Sequence, residues 1–157
     1  ERLINSLYLE VKDNYILSST ENYNPDDHYE KKIRELWHGI VKWALNEPLE
    51  YKFVQQYENS PYLNLLSAEE RNRHSKFFKY LLEEGIKNNI LRDLHVDMLM
   101  NICISQINGI IEFLMEHPEG YNKNTDMIDK SFDCFWSGVK IKTKKEFLEI
   151  NIRICYL

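Results

Sequence analysis

Apolar residues recur at intervals of three and four along most of the chain, the spacing that places side chains on one face of an α-helix. The clearest stripe precedes Pro48 and consists of Ile33, Leu36, Trp37, Ile40, Val41, Ala44 and Leu45. Alternation every second residue, which is typical of a half-buried strand, occurs only near the C-terminus. The pattern therefore predicts an all-α domain.

Three helices are predicted before the Ser-Pro pair at 60–61. The first covers 1–18. The second follows a polar break, with Asp26 or Asp27 as its N-cap, and ends near Asn46 because a helix interior does not tolerate Pro48. Pro48 suits the first position of a third helix, which extends to about Tyr57.

Three further helices bring the predicted total to about six. The sequence SAEE at 67–70 is a capping box that begins the fourth helix, which ends at the Asn pair 88–89 because asparagine tolerates the left-handed conformation. The fifth, about 94–116 with Asp93 or a neighbour as its cap, is apolar nearly all round and must be covered on more than one side. The sixth begins near 124.

The domain is predicted to cover 1–142, and 143–157 is a separate C-terminal tail. In this tail, Ile150, Ile152 and Ile154 alternate as in a strand, but Phe147, Ile150, Ile154 and Leu157 also fit a helical stripe, so both conformations stay open. The chain begins with Glu1 inside a helical pattern, and we therefore expect residues upstream to be missing.

Length, composition and charge exclude several classes of protein. A length of 157 residues suits one domain, and 5 Gly and 4 Pro are too few for the turns of a many-stranded sheet. The net charge of -5 has the wrong sign for wrapping nucleic acid. Three well-separated cysteines without a CxxC pair, no signal peptide, and no uninterrupted apolar stretch long enough for a membrane span favour a cytoplasmic protein.

Catalytic and metal-binding motifs are not found in the sequence. Glu35 and His38 have the Glu-x-x-His spacing of a di-iron helix, but the second copy such a site needs is missing. Neither GxSxG nor a glycine-rich phosphate loop occurs, and the cysteines lie on apolar helix faces where a thiol behaves as a small hydrophobe. We expect no enzyme activity, no metal and no cofactor.

The middle helices carry aromatic and polar residues in the mixture typical of a small-molecule pocket, although a well-filled core has the same composition. Gln106 is the sharpest indication, because a polar group on an apolar helix face needs a partner, which is a ligand or a neighbouring helix. The predicted ligand-binding residues are Trp37, His38, Val41, Phe53, Tyr57, Phe77, Phe78, Leu81, Cys103, Gln106, Ile107 and Ile110.

The last two helices are too apolar to be covered by one intramolecular face, which favours a homodimer with a four-helix interface over burial within a monomer. Gly109 and Gly138 allow close backbone approach. The predicted interface residues are Ile104, Gly109, Ile111, Ile128, Phe132, Phe135, Trp136 and Val139.

The order of segments resembles one known family. The opening ERLINSLY at 1–8 is similar to the stretch that directly follows the helix-turn-helix of TetR-family (tetracycline-repressor-like) transcriptional regulators. Four later segments resemble the regulatory domain of the same family. They are LWHGIVKW at 36–43, QQYENSPY at 55–62, the long apolar helix before His117, and SFDCFWSGV at 131–139. The resemblance covers about 1–142.

The resemblance implies a one-component regulator, such as a repressor, in which a small-molecule effector controls operator binding by an N-terminal helix-turn-helix dimer. Nothing in this chain resembles that family's recognition helix, so operator DNA would be bound only through the missing N-terminal domain. The first helix would connect pocket and DNA head through Leu3, Leu7, Val11 and Tyr15. The alternative is a helical protein-interaction module without a small-molecule ligand. Its exposed apolar face would dock a partner protein, with the tail at 143–157 as the docking strand or helix.

Overall fold

A computed structural model describes residues 2–118 and 124–142. Within them the chain forms seven α-helices and one 3-10 helix, and its only β pairing is an isolated bridge between Leu91 and Lys140. The predicted all-α class is confirmed. The elements are α1 (Arg2–Ser19), α2 (Tyr29–Asn46), α3 (Pro48–Glu58), the 3-10 helix (Pro61–Leu65), α4 (Ala68–Arg73), α5 (Lys76–Lys87), α6 (Val96–Glu116) and α7 (Asn124–Val139).

The predicted fourth helix is two helices. Its capping box is present, since Ser67 Oγ accepts a hydrogen bond from the Glu70 amide at 3.2 Å and Glu70 accepts one from the Ser67 amide at 2.8 Å. The helix nevertheless ends at Arg73, and α5 begins at Lys76. The side chain of His74 in this break is 6% exposed and forms a hydrogen bond with Asp13 of α1 at 2.8 Å. A tertiary contact thus coincides with a break that no proline or glycine marks.

One predicted N-cap is wrong, and the cap predicted at Asp93 or a neighbour is located at a specific residue. The N-cap of α2 is His28, not Asp26 or Asp27, and Asp27 instead pairs with Lys31 at 2.9 Å. The N-cap of α6 is His95, whose ring nitrogen accepts a hydrogen bond from the Asp97 amide at 3.3 Å. The predicted end of α5 is confirmed, because Asn89 has a φ of 56° and so adopts the left-handed conformation. The predicted tail conformation at 143–157 falls outside the described residues.

Helix α2 lies at the centre of the domain and packs against α1, α3, α6 and α7. Apolar side chains of α2 that are buried in the core are Ile33, Leu36, Trp37, Val41, Trp43 and Ala44. Helix α6 buries Leu99, Cys103, Ile107, Ile111 and Leu114, but Met98 and Phe113 are exposed. The prediction that α6 is covered on more than one side therefore does not hold within a single chain.

Among the described helices, α6 alone has the length and apolar composition of a membrane span. Helices at the centre of globular domains have the same two properties, and one face of α6 is buried here against α2, α5 and α7. Packing in this core therefore explains the apolar residues on the buried face of α6.

Helices α1 and α2 approach each other most closely at Gly39. A Cβ atom at this position would overlap the backbone of Ser19, including its carbonyl group. Ser19 is itself buried, and its hydroxyl donates a hydrogen bond to the Ile16 carbonyl at 3.2 Å. Because the obstacle is backbone, a side chain at 39 could be accommodated only by moving α1 away from α2.

We predict that Gly39→Ala lowers the free energy of unfolding by about 1–3 kcal/mol, the cost of adding a methyl group to a close-packed contact. Lys42→Ala, at an exposed position of the same helix, is the control and should change it by no more than about 0.5 kcal/mol. Urea denaturation measures both. Equal stability of the two variants would show that α1 can shift without cost.

Candidate ligand-binding site

A cavity of about 210 Å³ lies between α1, α2, α3, α6 and the region from α4 to α5. Most of its wall is apolar, and the aromatic lining residues are Tyr8, Tyr15, Trp43, Tyr51, Phe77 and Phe78. The aliphatic lining residues are Ile16, Leu36, Ile40, Val54, Met100, Ile104, Ile107 and Ile111. An apolar, aromatic-lined cavity with a few polar groups is the usual form of a small-molecule site.

One polar cluster lies on the cavity wall formed by α3 and α6. The side-chain oxygen of Asn108 accepts hydrogen bonds from the Tyr51 hydroxyl and the Gln55 amide, both at 3.2 Å. Burial, followed by the charge of Glu112, raises the pKa of Tyr51 to about 12, so its hydroxyl is protonated and donates at neutral pH. The amide on this apolar helix face is thus held by two partners from α3.

Tyr15 contributes a second polar group to the cavity. Its ring packs edge-on against Trp43 with centroids 4.9 Å apart, and burial, followed by the charge of Glu58, raises the pKa of its hydroxyl well above the usual range. This hydroxyl makes no hydrogen bond within the described part of the chain. A neutral hydroxyl is therefore available to a bound molecule.

Ion pairs connect α1 to its neighbours at the edge of the cavity. Glu58 of α3 accepts hydrogen bonds from the Tyr8 hydroxyl and the Lys12 ammonium, both at 3.0 Å. Asp13 pairs with His74 at 2.8 Å and with Arg73 at 3.2 Å. These contacts hold α1 against α3 and against the turn between α4 and α5.

Of the twelve predicted ligand-binding residues, Phe77, Phe78 and Ile107 line this cavity. The other nine lie elsewhere: Trp37, His38, Val41, Phe53, Tyr57, Leu81, Cys103, Gln106 and Ile110. Val41, Leu81 and Cys103 are buried in the core, and Ile110 and Phe53 are partly buried against it. Burial raises the pKa of the Cys103 thiol far above its usual range, as expected for a cysteine that acts as a core hydrophobe.

Trp37 and His38 face α7 instead of the cavity. The Trp37 ring stacks on Phe135 with centroids 5.2 Å apart, and its indole N–H donates to the Ser131 hydroxyl at 3.1 Å. His38 forms a hydrogen bond with the Asp129 carboxylate at 3.0 Å. Arg34 pairs with the same carboxylate at 3.1 Å, so His38 belongs to an ion network between α2 and α7.

Tyr57 and Gln106, which were also predicted to bind the ligand, lie outside the cavity. Tyr57 stacks on Tyr8 with centroids 4.1 Å apart and donates a hydrogen bond to Asn5 at 2.7 Å. Gln106 is exposed, and the amide that reaches the cavity is Asn108. Two residues along a helix correspond to a rotation of about 200°, so the two amides lie on different sides of α6. Asn108 shares its side with Ile104 and Ile111.

Tyr8, Lys12 and Tyr15 are cavity residues that sequence reasoning missed. Their spacing of four and three does place them on one side of α1, which is the available signal. Tyr15 was predicted to transmit a signal instead of lining the pocket, and it lines the cavity. Of the other three predicted transmission residues, Val11 is buried, whereas Leu3 and Leu7 are exposed.

The structure also revises the residues predicted for a dimer interface. Ile111, Ile128, Phe132, Phe135, Trp136 and Val139 are buried within their own chain. They pack on neighbouring helices, as Phe135 does on Trp37, so they offer no surface to a second copy. Ile104 is 46% exposed and also lines the cavity, and Gly109 is exposed. An added Cβ at Gly109 or Gly138 would meet nothing within 4 Å.

Most of the helices that surround the cavity, from the end of α1 onward, match a known protein family. Residues 16–141 match the family model described as "Tetracyclin repressor-like, C-terminal domain". The chain belongs to this family. The match covers most of the chain, so the family predicted from sequence segments is confirmed, and the protein contains the regulatory domain of a TetR-like transcription regulator.

Solved structures of other proteins share this fold. A tetR family transcription regulator from Shewanella sp. PV-4 has a TM-score of 0.75 at 21% identity, over 89% of this chain and 74% of that chain. A second, from Marinobacter aquaeolei VT8, has a TM-score of 0.75 at 15% identity, over 89% and 72%. A protein of unknown function from Rhodococcus sp. RHA1 has a TM-score of 0.67 at 14% identity, over 89% and 71%. No curated protein sequence matches significantly.

We predict that Asn108→Leu lowers the free energy of unfolding by about 1–3 kcal/mol, because Tyr51 and Gln55 lose a partly buried acceptor. Gln106→Leu, the same change two residues earlier, should cost no more than about 0.5 kcal/mol at its exposed position. Thermal unfolding of both variants measures the difference. A larger loss for Gln106→Leu would contradict the placement of the two amides.

The ion network between α2 and α7 predicts a pH dependence of stability. Burial raises the pKa of the Asp129 carboxyl, but hydrogen bonds from His38 and Arg34 outweigh it and hold that pKa below its usual value. A lowered folded-state pKa stabilises the fold at neutral pH, and this contribution disappears as pH falls below about 4.

Asp129→Asn should therefore lower the free energy of unfolding at pH 7 by about 1 kcal/mol or less, since the carboxylate is partly exposed and screened. The variant should also lose less stability than the parent between about pH 5 and pH 3. Asp126→Asn, which removes a surface pair with Lys130, is the control. Parallel pH profiles for the parent and Asp129→Asn would refute a depressed pKa.

Proposed function

We propose that this TetR-like regulatory domain binds a small apolar or aromatic effector in the cavity and couples its binding to operator DNA through an upstream helix-turn-helix. The observation that carries the proposal is the position of α1, which forms one wall of an aromatic-lined cavity. A bound molecule would contact Tyr8, Lys12 and Tyr15 directly, and through them the helix that extends toward the N-terminus.

The energy needed for such coupling is modest. A ligand that favours one arrangement of α1 by about 1–3 kcal/mol changes operator affinity about 5- to 150-fold. Several contacts of α1 can report the state of the cavity, among them the edge-on packing of Tyr15 on Trp43 and the Lys12–Glu58 pair. Lys12 and Tyr15 are one turn apart, so one ligand can affect both contacts.

The domain acts in this proposal as a homodimer that uses the outward sides of α6 and α7. On α6, Ile102, Gln106, Gly109 and Phe113 share one helix side by their spacing, and on α7 the same holds for Met127, Cys134 and Gly138. Gly109, Phe113, Cys134 and Gly138 are exposed in the single chain. Small residues beside exposed apolar ones suit close helix packing in a two-fold interface. This set keeps Gly109 from the interface predicted from sequence and replaces its other members.

Membership of a regulator family implies a non-enzymatic role, and we place the protein in the cytoplasm, where operator DNA is found. The second candidate is a helical protein-interaction module without a small-molecule ligand. It is favoured by the apolar side chains of Met98 and Phe113 on α6, which are 53% and 43% exposed. In that case the cavity would bind nothing and α6 would bind a different protein.

Native mass spectrometry with the neutral aromatic probe naphthylethanol tests the proposal. We predict a dimer that retains one probe molecule per chain. Ile107→Phe, which adds bulk to a buried cavity residue, should abolish retention of the probe and leave the dimer intact. Ile110→Phe is the control on the same helix, because Ile110 does not line the cavity.

A monomer that retains no probe in any variant would exclude the regulator mechanism proposed here and favour the interaction module. Equal retention by the parent and Ile107→Phe would place the probe outside the cavity.

A further inference from the structure

The charged groups around the cavity are not balanced. Lys12 is neutralised by Glu58 at 3.0 Å, and His74 is paired with Asp13 at 2.8 Å. Arg71 also lines the cavity, but its guanidinium makes no ion pair or hydrogen bond within the residues that the structure describes. One cation is therefore left over.

The position of Arg71 is defined by the short helix that carries it. The capping box of Ser67 and Glu70 begins α4 and occupies the Glu70 carboxylate, which is the acid next to Arg71 in sequence. Arg73, two residues later, is 62% exposed and pairs with Asp13. Arg71 is exposed and also lines the cavity, so it lies where the cavity meets solvent.

Two polar groups on the cavity wall have no partner among the described residues for one of their hydrogen-bonding groups. The Tyr15 hydroxyl has no partner among the described residues. The side-chain oxygen of Asn108 already accepts two hydrogen bonds, which leaves the N–H groups of its amide for a ligand. The remainder of the wall is mostly apolar, which suits the apolar body of a ligand.

We infer that the effector is an amphipathic carboxylic acid, whose apolar body fills the cavity and whose carboxylate pairs with Arg71. The inference rests on the proposed function and adds the chemical class of the ligand. A carboxylate matches the planar donor fork of a guanidinium. The cavity of 210 Å³ holds the volume of about seven water molecules, enough for a compact aromatic body with its polar end outside.

Isothermal titration with two matched probes tests the inference. Naphthylacetate and naphthylethanol share the aromatic body and differ in the carboxylate. The parent should bind naphthylacetate more tightly. Arg71→Gln should weaken naphthylacetate binding about three- to tenfold, the range for a partly exposed ion pair, and leave naphthylethanol binding unchanged. Arg73→Gln, the same substitution on the same helix, should change neither affinity.

Arg71→Lys keeps the positive charge and should keep most of the preference for naphthylacetate, which separates loss of charge from misfolding. If both probes bind and Arg71→Gln affects them equally or not at all, the inference is wrong and the proposed cavity function stands. If neither probe binds the parent, the proposed function fails and this inference fails with it.

Discussion

Trp37 and Trp43 extend from different sides of α2, and both indole rings are buried. Trp37 packs against Phe132 and Phe135 of α7, whereas Trp43 forms part of the cavity wall beside Tyr15 of α1. A helix that is apolar on two sides must be covered on both, so α1, α6 and α7 surround it. The cavity lies on the Trp43 side of α2, where side chains of α1 and α6 also line it.

Helix α1 connects the cavity to the start of the chain. It cannot separate freely from α2, since their backbones meet at Gly39 and Ser19, and ion pairs of Lys12 and Asp13 hold it to α3 and to the turn after α4. A helix fixed at several points moves as a unit when one contact changes. This mechanical property, together with membership of a regulator family, is why the proposed effector site is consistent with control of DNA binding at a distance.

Two polar groups of the cavity wall, on Asn108 and Tyr15, have different environments. Asn108 is held by Tyr51 and Gln55, and Tyr15 is kept neutral by burial. On the other side of α2, the network of Arg34, His38 and Asp129 connects α2 to α7 and does not take part in the cavity. The proposed ligand site and the contacts with α7 therefore lie on different sides of α2. The opposite side of α7, which faces outward, forms the proposed dimer interface.

The sequence by itself determined the all-α class, most helix ends and the family, because capping residues, prolines and the three-and-four spacing act locally. It did not determine which side of α2 or α6 faces the cavity. Trp37 and Trp43 lie in equally apolar stripes, and Gln106 and Asn108 are similar amides on one helix. Local spacing places residues on a helix side but does not choose the neighbour of that side. Trp43 and Asn108 line the cavity because of the tertiary packing, which decides which helix covers each side of α2 and α6.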